Sequence, residues 1–368
     1  MRSILNHVLK DPNQVHYFTV SDWEMCMRQA GASKLLGRLH YLLQQEGLLE
    51  YIPPRALHHF HSADVKTQCQ HREIYFEVNQ IIECLAKAGI TPIFLKGAAY
   101  VLSNVAYQGR TCNDIDILVP KHQLKKAEEQ LGTMGWIGES ISHYDAMYYR
   151  KWMHELPPMM HLERRTVLDV HHHLQPETVK RSFNISCAIA SAQIQQIKYQ
   201  SQIIESKTLA LSDMILHSAC HLFGEGELDK GLRDLSDIKL LLEAFELQFK
   251  AQSTTLLTTR ADQLNLTPQL ALAIHYIDKL FKHSLNLSAY NMKVAPKSLS
   301  NKLNTKILQW CYDNAFVPHH NSSRTIQFRI AALLIFIRSH YLRMPLRLLL
   351  PHLTIKSWHG LKTYFMLK

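Results

Sequence analysis

The stretch that most constrains the fold is residues 91–119, TPIFLKGAAYVLSNVAYQGRTCNDIDILV. It begins with an apolar run at 92–95, bounded by Gly89 and Gly97, which predicts a short strand buried on both faces. Residues 98–107 are small or apolar at helical spacing, so we expect a helix to begin at Gly97. The unpaired backbone N–H groups at such a helix start attract phosphate.

The end of this stretch predicts a second strand that carries two carboxylates. Residues 114–119 alternate aspartate with isoleucine and then become wholly apolar. The period of two in a strand places Asp114 and Asp116 on the same face. Two like charges at this spacing repel each other, and a divalent cation between them removes that penalty. Magnesium suits the pair because it binds few carboxylates, keeps water and binds substrate phosphates, and manganese is the alternative ion.

A third carboxylate is expected on a neighbouring strand. Two metal ions about 3.5–4 Å apart need more ligands than one aspartate pair supplies. Asp169 is the candidate, because it lies in the strand-like run TVLDVH at residues 166–171. The apolar residues around it predict that this run enters the same sheet.

The order of these motifs resembles a known superfamily. LKG, a helix, R-x-x-x-D-x-D with an apolar tail, and L-D-V-H on a later strand are similar to the polymerase-beta-like nucleotidyltransferases. Within that superfamily the chain resembles the uncharacterised bacterial NTP_transf_5 group, over roughly residues 85–245. Members share a glycine turn, an acidic pair and a third acidic residue.

The resemblance implies roles for individual residues. Asp114 and Asp116 would bind the metal, and Asp169 would be the third carboxylate, which in the superfamily helps to activate the attacking hydroxyl. Gly97 would form the phosphate turn, where the superfamily usually has serine or glycine at the next position and this chain has Ala98.

Two basic residues can compensate for the hydroxyl that Ala98 lacks. We expect Lys96 to supply a point charge and Arg110 a bidentate fork to the nucleotide phosphates. Arg233 has two interpretations: it pairs with Asp237 four residues later on one helix, or it reaches a nucleotide phosphate.

Several histidines are further candidates. The resemblance supports a place for His171 behind the metal ligands, near the phosphates or the acceptor. Asp213, His217 and His221 recur every four residues on one predicted helix face. This stripe either faces the cleft, with His221 behind the metal ligands, or consists of half-buried polar residues that bond one another between helices.

A zinc site is a rival interpretation of the strand that carries Asp169. Alternation places Asp169, His171 and His173 on one face, and such a set can bind zinc. We favour magnesium, because zinc sites usually draw a further ligand from elsewhere and the Asp114/Asp116 pair offers oxygen ligands.

Composition indicates a cytoplasmic protein. The seven cysteines are scattered singly without a C-x-x-C pair, and their odd number argues against a secreted disulfide framework. The N-terminus lacks the apolar segment of a signal peptide. No run reaches eighteen apolar residues, so we expect no membrane-spanning helix.

The positive charge is concentrated toward the C-terminus. Of the net charge of +10, residues 279–368 contribute +13 through fourteen Lys or Arg against Asp313. This imbalance indicates an anionic partner. Residues 325–368 contain basic and apolar residues but no acid, which predicts either a helix on an anionic membrane surface, peripheral to the inner membrane, or a helix packed on the protein body. Nucleic acid is the weaker alternative, because aromatics are not interleaved with the basic residues.

These observations predict an α+β fold, with a small mixed-sheet nucleotidyltransferase domain flanked by helical N- and C-terminal regions. The predicted division is a helical region at 1–88, the core sheet at 89–178, a helical region at 179–310 and a basic amphipathic region at 311–368. The predicted reaction is magnesium-dependent transfer of NMP from an NTP, with ATP as the first candidate, to an unidentified hydroxyl acceptor. A degenerate nucleotide-binding protein and a membrane-associated accessory of polysaccharide assembly are the alternatives.

Overall fold

A computed structural model describes residues 3–138, 142–176, 178–179, 184–199, 202–224, 226, 228–291, 299–345, 347–349 and 351. The α-helices are α1 (Ile4–Lys10), α2 (Val20–Ala32), α3 (Leu36–Gln45), α4 (Pro54–Ala86), α5 (Lys96–Leu102), α6 (Leu124–Thr133), α7 (His143–Trp152), α8 (Ile185–Ala190), α9 (Leu211–Gly224), α10 (Gly231–Phe249), α11 (Ser253–Gln263), α12 (Thr267–Leu280), α13 (Ser288–Asn291), α14 (Leu299–Ala315) and α15 (Ile326–Arg343). The strands are β1 (Ile93–Leu95), β2 (Asp114–Leu118), β3 (Trp136–Gly138), β4 (Met159–His161), β5 (Val167–His171), β6 (Gln193–Tyr199) and β7 (Gln202–Thr208).

Within the described residues the strands form one mixed sheet in the order β3-β4-β5-β2-β1-β7-β6. β2 pairs in parallel with β5, and β1 pairs in parallel with β7. The other neighbouring pairs are antiparallel. The predicted α+β fold with a mixed sheet is therefore confirmed.

Helices cover both faces of the central strands. Phe94 and Ile117 pack into a core with residues of α4, α5 and α6. Their neighbours Leu95 and Leu118 point to the opposite face and join the core that α9, α10 and α12 build. All three residues of β1 are buried, as the apolar run predicts. Since Asp116 shares its face with Leu118, its carboxylate lies on the side of α9 and α10.

The N-terminal helices are built onto this sheet. Long helix α4 leads into β1 through Gly89, which has a φ of 68°. Helix α3 packs closely on the loop before β2, where a Cβ on Gly37 would lie 2.9 Å from the Cα of Gly109. Gly109 itself has a φ of 65°, so both the contact and the backbone conformation require glycine at this position.

Two secondary-structure predictions are wrong in part. The helix expected over 98–107 ends at Leu102, because Asn104 and Ala106 adopt positive φ values that break it. The predicted helical region at 179–310 also contains the antiparallel hairpin β6–β7, which extends the sheet at one edge. The division of the chain at residues 88, 178 and 310 stays a prediction.

The basic C-terminal region contains the predicted helix, α15, which begins after the N-cap Thr325. Residues 352–368 of this region lie outside the described residues. In the part of the chain that the structure describes, no helix is long and apolar enough to cross a membrane.

Candidate active site

The parallel pairing of β2 with β5 brings the predicted carboxylates together. Asp116 stands directly opposite Asp169 in the register of the two strands. Asp114 lies two residues earlier on β2, opposite Val167, and therefore on the same face as Asp116. The third carboxylate expected on a neighbouring strand is thus present.

These carboxylates line a cleft of about 710 Å³ between the sheet and the helices α9, α10 and α15. This volume lies within the range of small-molecule sites, about 300–1,000 Å³. The predicted site residues that line the cleft are Lys96, Gly97, Arg110, Asp114, Asp116, Asp169, His221 and Arg233. Ala98 does not line it: its side chain is 1% exposed and packs in the core with α4 and α6. The methyl group of Ala98 therefore does not face the cleft, and a phosphate contact through the backbone N–H of this residue stays a prediction.

Asp116 is the most strongly engaged carboxylate of the group. Its Oδ1 accepts a hydrogen bond from Lys96 Nζ at 2.7 Å and lies 3.0 Å from His171 Nε2. Burial acts to raise the pKa of Asp116, but Lys96 and His171 outweigh it, so the pKa lies well below its ordinary value. Asp116 is therefore an ionised carboxylate in a buried site, with a cation already beside it.

Asp169 has the opposite electrostatic character. Its Oδ1 is buried and has no hydrogen-bond partner among the described residues. Burial, and then the charges of Asp116 and Glu155, raise the pKa of Asp169 to about 7. Asp169 Oδ1 thus has no partner in the described part of the chain, whereas the neighbouring Asp116 binds the Lys96 ammonium. A free carboxylate oxygen beside a second carboxylate is a suitable ligand for a divalent cation. The residues present are thus compatible with the magnesium that the acidic pair predicts.

The raised pKa of Asp169 predicts an unusual dependence of stability on pH. Without divalent metal, the folded protein holds a proton on Asp169 between about pH 4 and 7 that the unfolded chain has lost. The free energy of unfolding should therefore fall as pH rises through this window. An Asp169→Asn variant, which stays neutral, should be more stable than the wild type at pH 8 by on the order of 2 kcal/mol, after allowance for partial exposure, and similar at pH 4.

Urea unfolding of both proteins at pH 4, 6 and 8 in a chelator measures this difference. Parallel pH profiles for the wild type and the variant would contradict the assignment of the proton to Asp169.

The strand-to-helix junction at Lys96 and Gly97 differs in detail from the expected glycine turn. Lys96 carries the left-handed backbone conformation, with a φ of 45°, which is strained for a residue with a side chain. Gly97 is needed for a different reason, since a Cβ there would lie 2.6 Å from Cys112 Sγ. The junction therefore places the Lys96 side chain over the carboxylates.

Arg110 has a structural partner that the sequence interpretation did not assign. Its Nε donates to Asp237 Oδ2 at 2.7 Å, and Arg38 Nη2 donates to the other oxygen of Asp237, also at 2.7 Å. The side chains of all three residues are at most 8% exposed. Of the two interpretations of Arg233, the pair with Asp237 is wrong, since Asp237 instead joins helix α3 and the loop before β2 to α10. A phosphate contact for Arg110 stays a prediction.

Arg233 bonds to its sequence neighbour. Both Nε and Nη2 of Arg233 donate to Asp234 Oδ1, at 2.8 and 2.6 Å. The pair lies at the wall of the cleft near the start of α10. A role of Arg233 in nucleotide binding therefore stays a prediction, and its geometry is compatible with one.

The stripe on α9 divides into different environments. Asp213 is buried away from the cleft and pairs with Arg260 Nη2 at 2.6 Å. His217 is buried, and burial followed by the charge of Lys96 lowers its pKa well below the ordinary value. His221 lines the cleft. Asp213 and His217 are thus buried polar residues, as the second interpretation of the stripe expects. His221 lies at the cleft, as the first interpretation expects.

The sequence interpretation missed His154 and Glu155. They lie between α7 and β4 and line the cleft beside Asp169. Nδ1 of His171 lies 3.3 Å from Oε2 of Glu155. No periodic pattern marks HELPP at residues 154–158, so its polar pair carried no local signal.

The rival interpretation, a zinc set of Asp169, His171 and His173, does not form among the described residues. Nδ1 of His173 contacts the backbone of Gln175 instead. Among the described residues, the metal-ligating side chains that converge with His171 are His154 and Glu155.

Comparison with known proteins agrees with this geometry. The family model described as an uncharacterised nucleotidyltransferase, NTP_transf_5, matches residues 19–282. The chain belongs to this family. The match includes α2 to α12, so the family unit contains the N-terminal helices as well as the sheet and the helices that close the cleft.

Other comparisons add little. No curated protein matches the chain. A crystal structure of an antigenic nucleotidyltransferase-like protein from Paracoccidioides brasiliensis matches with 16% sequence identity and a TM-score of 0.33. The match covers 54% of this chain and 92% of that one. This likeness carries no argument about function.

Proposed function

We propose that this NTP_transf_5 protein transfers a nucleotidyl group from an NTP to a hydroxyl acceptor and releases pyrophosphate. The observation that carries the proposal is the register of β2 and β5, which sets Asp116 beside Asp169, with Asp114 on the same face at the cleft. ATP is the first nucleotide to test.

The three aspartates would hold magnesium, which when bound neutralises phosphate charge and polarises the reacting phosphoryl group. Manganese is the alternative ion. Lys96 lies within reach of the same space and would bind a phosphate oxygen of the triphosphate, exchanging its contact with Asp116. By resemblance to the family, Gly97 would form the turn that binds phosphate. Arg110 and Arg233 would contact the remaining phosphates.

In the proposed reaction the acceptor oxygen forms a bond to the α-phosphorus, and the bond from that phosphorus to the bridging oxygen of pyrophosphate breaks. The hydroxyl proton passes to Asp169, which stands beside Asp116 at the cleft. His171 would keep Asp116 oriented through its 3.0 Å contact. Catalysis then rests on positioning and charge neutralisation, as in other phosphoryl transfers.

The proposal is tested by label transfer. The full chain is incubated with each α-labelled NTP, magnesium and host-cell extract as the source of acceptors. We expect label in a protein, RNA, sugar or small metabolite, together with pyrophosphate. A chelator should abolish the transfer, and added magnesium should restore it. An Asp114→Ala/Asp116→Ala double variant is the matched control. Nucleotide binding without any label transfer would instead support the degenerate nucleotide-binding protein.

A second proposed function concerns the surface of α15. Five of its exposed apolar residues follow helical spacing in one stripe, namely Ile326, Ile330, Leu333, Ile337 and Tyr341, and Leu334, Phe336 and Leu342 are exposed outside it. The residues that face the protein body, Ala331, Ile335 and Ser339, lie on the opposite side of the helix. The stripe therefore points away from the core.

We propose an anionic membrane surface as the partner of this stripe. Helix α15 contains no acidic residue, and Arg329 is exposed beside the stripe. Basic residues next to an exposed apolar helix face are typical of helices that lie on anionic bilayers. Such binding would place the protein at the periphery of the inner membrane, which is also what the accessory role in polysaccharide assembly requires.

Vesicle sedimentation tests this second function. We expect the full chain to bind vesicles that contain anionic lipid and not neutral ones, with binding that weakens at high salt. A Leu333→Gln/Ile337→Gln variant should bind at least about tenfold less, because it removes two insertable side chains. Leu247→Gln, at a residue that is 83% exposed on α10, is the control. Equal binding of the stripe variant and the wild type would overturn the assignment.

A further inference from the structure

A second group of metal-ligating side chains lies next to the aspartates. His154, Glu155 and His171 each place one ligand atom within 4.8 Å of the other two. Backbone hydrogen bonds join the segment that carries His154 and Glu155 to β5 and the residue after it. The Leu156 N–H donates to the Val170 carbonyl at 2.9 Å, and the His172 N–H donates to the His154 carbonyl at 2.8 Å. The loop that carries His154 and Glu155 is thus fixed against the strand that carries His171.

One ring nitrogen of each histidine in this group lacks an ordinary partner in the described part of the chain. Nδ1 of His171 and Nδ1 of His154 are buried and make no hydrogen bond among the described residues. Nδ1 of His171 nevertheless lies 3.3 Å from Glu155 Oε2, and Nε2 of His154 lies 3.9 Å from the same oxygen. Ligands at 2.0–2.1 Å from a tetrahedral zinc are separated by about 3.3 Å. The shorter separation matches this value, and the longer one requires only a small side-chain adjustment.

The other ring nitrogen of His171 completes a recurrent metal-site pattern. Nε2 lies 3.0 Å from Asp116 Oδ1. A metal-binding histidine almost always donates its second ring N–H to a carboxylate or carbonyl, which fixes the tautomer and the ring orientation. His171 has a carboxylate on one nitrogen and the His154/Glu155 pair on the other.

We propose that His154, Glu155 and His171 bind one zinc ion, separate from the magnesium of the aspartates. Two imidazoles and one carboxylate form a three-residue ligand set known for zinc, whereas magnesium prefers oxygen alone. Zinc at Nδ1 would hold the His171 proton on Nε2, directed at Asp116. The proposal does not depend on the proposed nucleotidyl transfer.

Metal content is the test. The full chain, purified without a histidine tag, is stripped with chelator, equilibrated with zinc and desalted, and bound zinc is measured by mass spectrometry. We expect about one equivalent in the wild type. His154→Gln and Glu155→Gln should each lower zinc affinity by at least about tenfold. Mutation of a residue that only hydrogen-bonds to a metal ligand already lowers metal affinity by about 10–100-fold. Cobalt in place of zinc should give the visible absorption of a tetrahedral site, and the same variants should lose it.

Two control variants separate this site from its surroundings. Asp114→Asn alters the proposed magnesium pair, and His221→Gln removes a histidine of the same cleft outside the group. Both should retain zinc. The proposal is overturned if the wild type retains no zinc, if His154→Gln and Glu155→Gln retain as much as the wild type, or if Asp114→Asn loses it while they do not. Circular dichroism confirms folding, and Glu155→Gln, which preserves side-chain shape, decides the matter if His154→Gln does not fold.

Discussion

An Asp116→Asn variant is expected to remain folded and to lose at least about a thousandfold in nucleotidyl transfer rate. Asp116 is the carboxylate that Lys96 and His171 both contact, and it stands beside Asp169 in the sheet. Asparagine keeps the shape of the side chain but removes its charge, so metal binding and the alignment of the phosphates should both be lost.

The fold should tolerate this change. The Lys96 side chain is 24% exposed and can turn its ammonium toward solvent once the carboxylate is gone. The rate is measured as magnesium-dependent pyrophosphate release, with circular dichroism as the test of folding. Asp229→Asn, at an exposed residue that lines the same cleft, is the matched control and should retain activity. Turnover close to that of the wild type in Asp116→Asn would falsify the assignment.

An Asp237→Ala variant is expected to lose about 3–5 kcal/mol of stability, because it leaves two buried guanidinium groups without their counter-ion. Arg38 and Arg110 each donate to one oxygen of Asp237 at 2.7 Å, and the Asp237 side chain is 1% exposed. Alanine would leave both positive charges close together in a largely buried site.

Urea unfolding at neutral pH measures this loss. Glu24→Ala provides the comparison, since Glu24 pairs with Arg28 on the surface of α2, where both side chains are at least 60% exposed. That change should alter stability by less than about 1 kcal/mol. A loss below about 1 kcal/mol for Asp237→Ala would mean that the two arginines find other partners. Because Arg110 lies at the wall of the cleft, a severe loss would also link the stability of the N-terminal helices to the geometry of the candidate site.

The edge hairpin shows where sequence patterns were insufficient. β6 and β7 are rich in glutamine and charged residues, and only one face of the hairpin is covered: Ile197 and Ile204 are buried, whereas Ile194 and Ile203 are 60% and 69% exposed. A strand whose apolar residues do not separate into an inner and an outer face has little period-two signal. Pairing of β7 with β1 stabilises these residues as strands.

Local sequence by itself determined the parts of the site that depend on neighbours along the chain. A run of alternating aspartate and isoleucine specifies a strand with its carboxylates on one face, so Asp114 and Asp116 could be placed without the fold. Asp169 could be assigned to a strand in the same way. That it stands opposite Asp116 depends on strand pairing, which the family resemblance anticipated.

Only the tertiary structure decided which groups meet across long stretches of chain. Asp237 lies 127 residues from Arg110 and 199 from Arg38, and nothing local in the sequence favoured this set over a pair within α10. His154 and Glu155 reach His171 because a loop without periodic pattern packs along β5. Contacts of this kind are set by packing and by the need to satisfy buried charge, and these act on the folded chain as a whole.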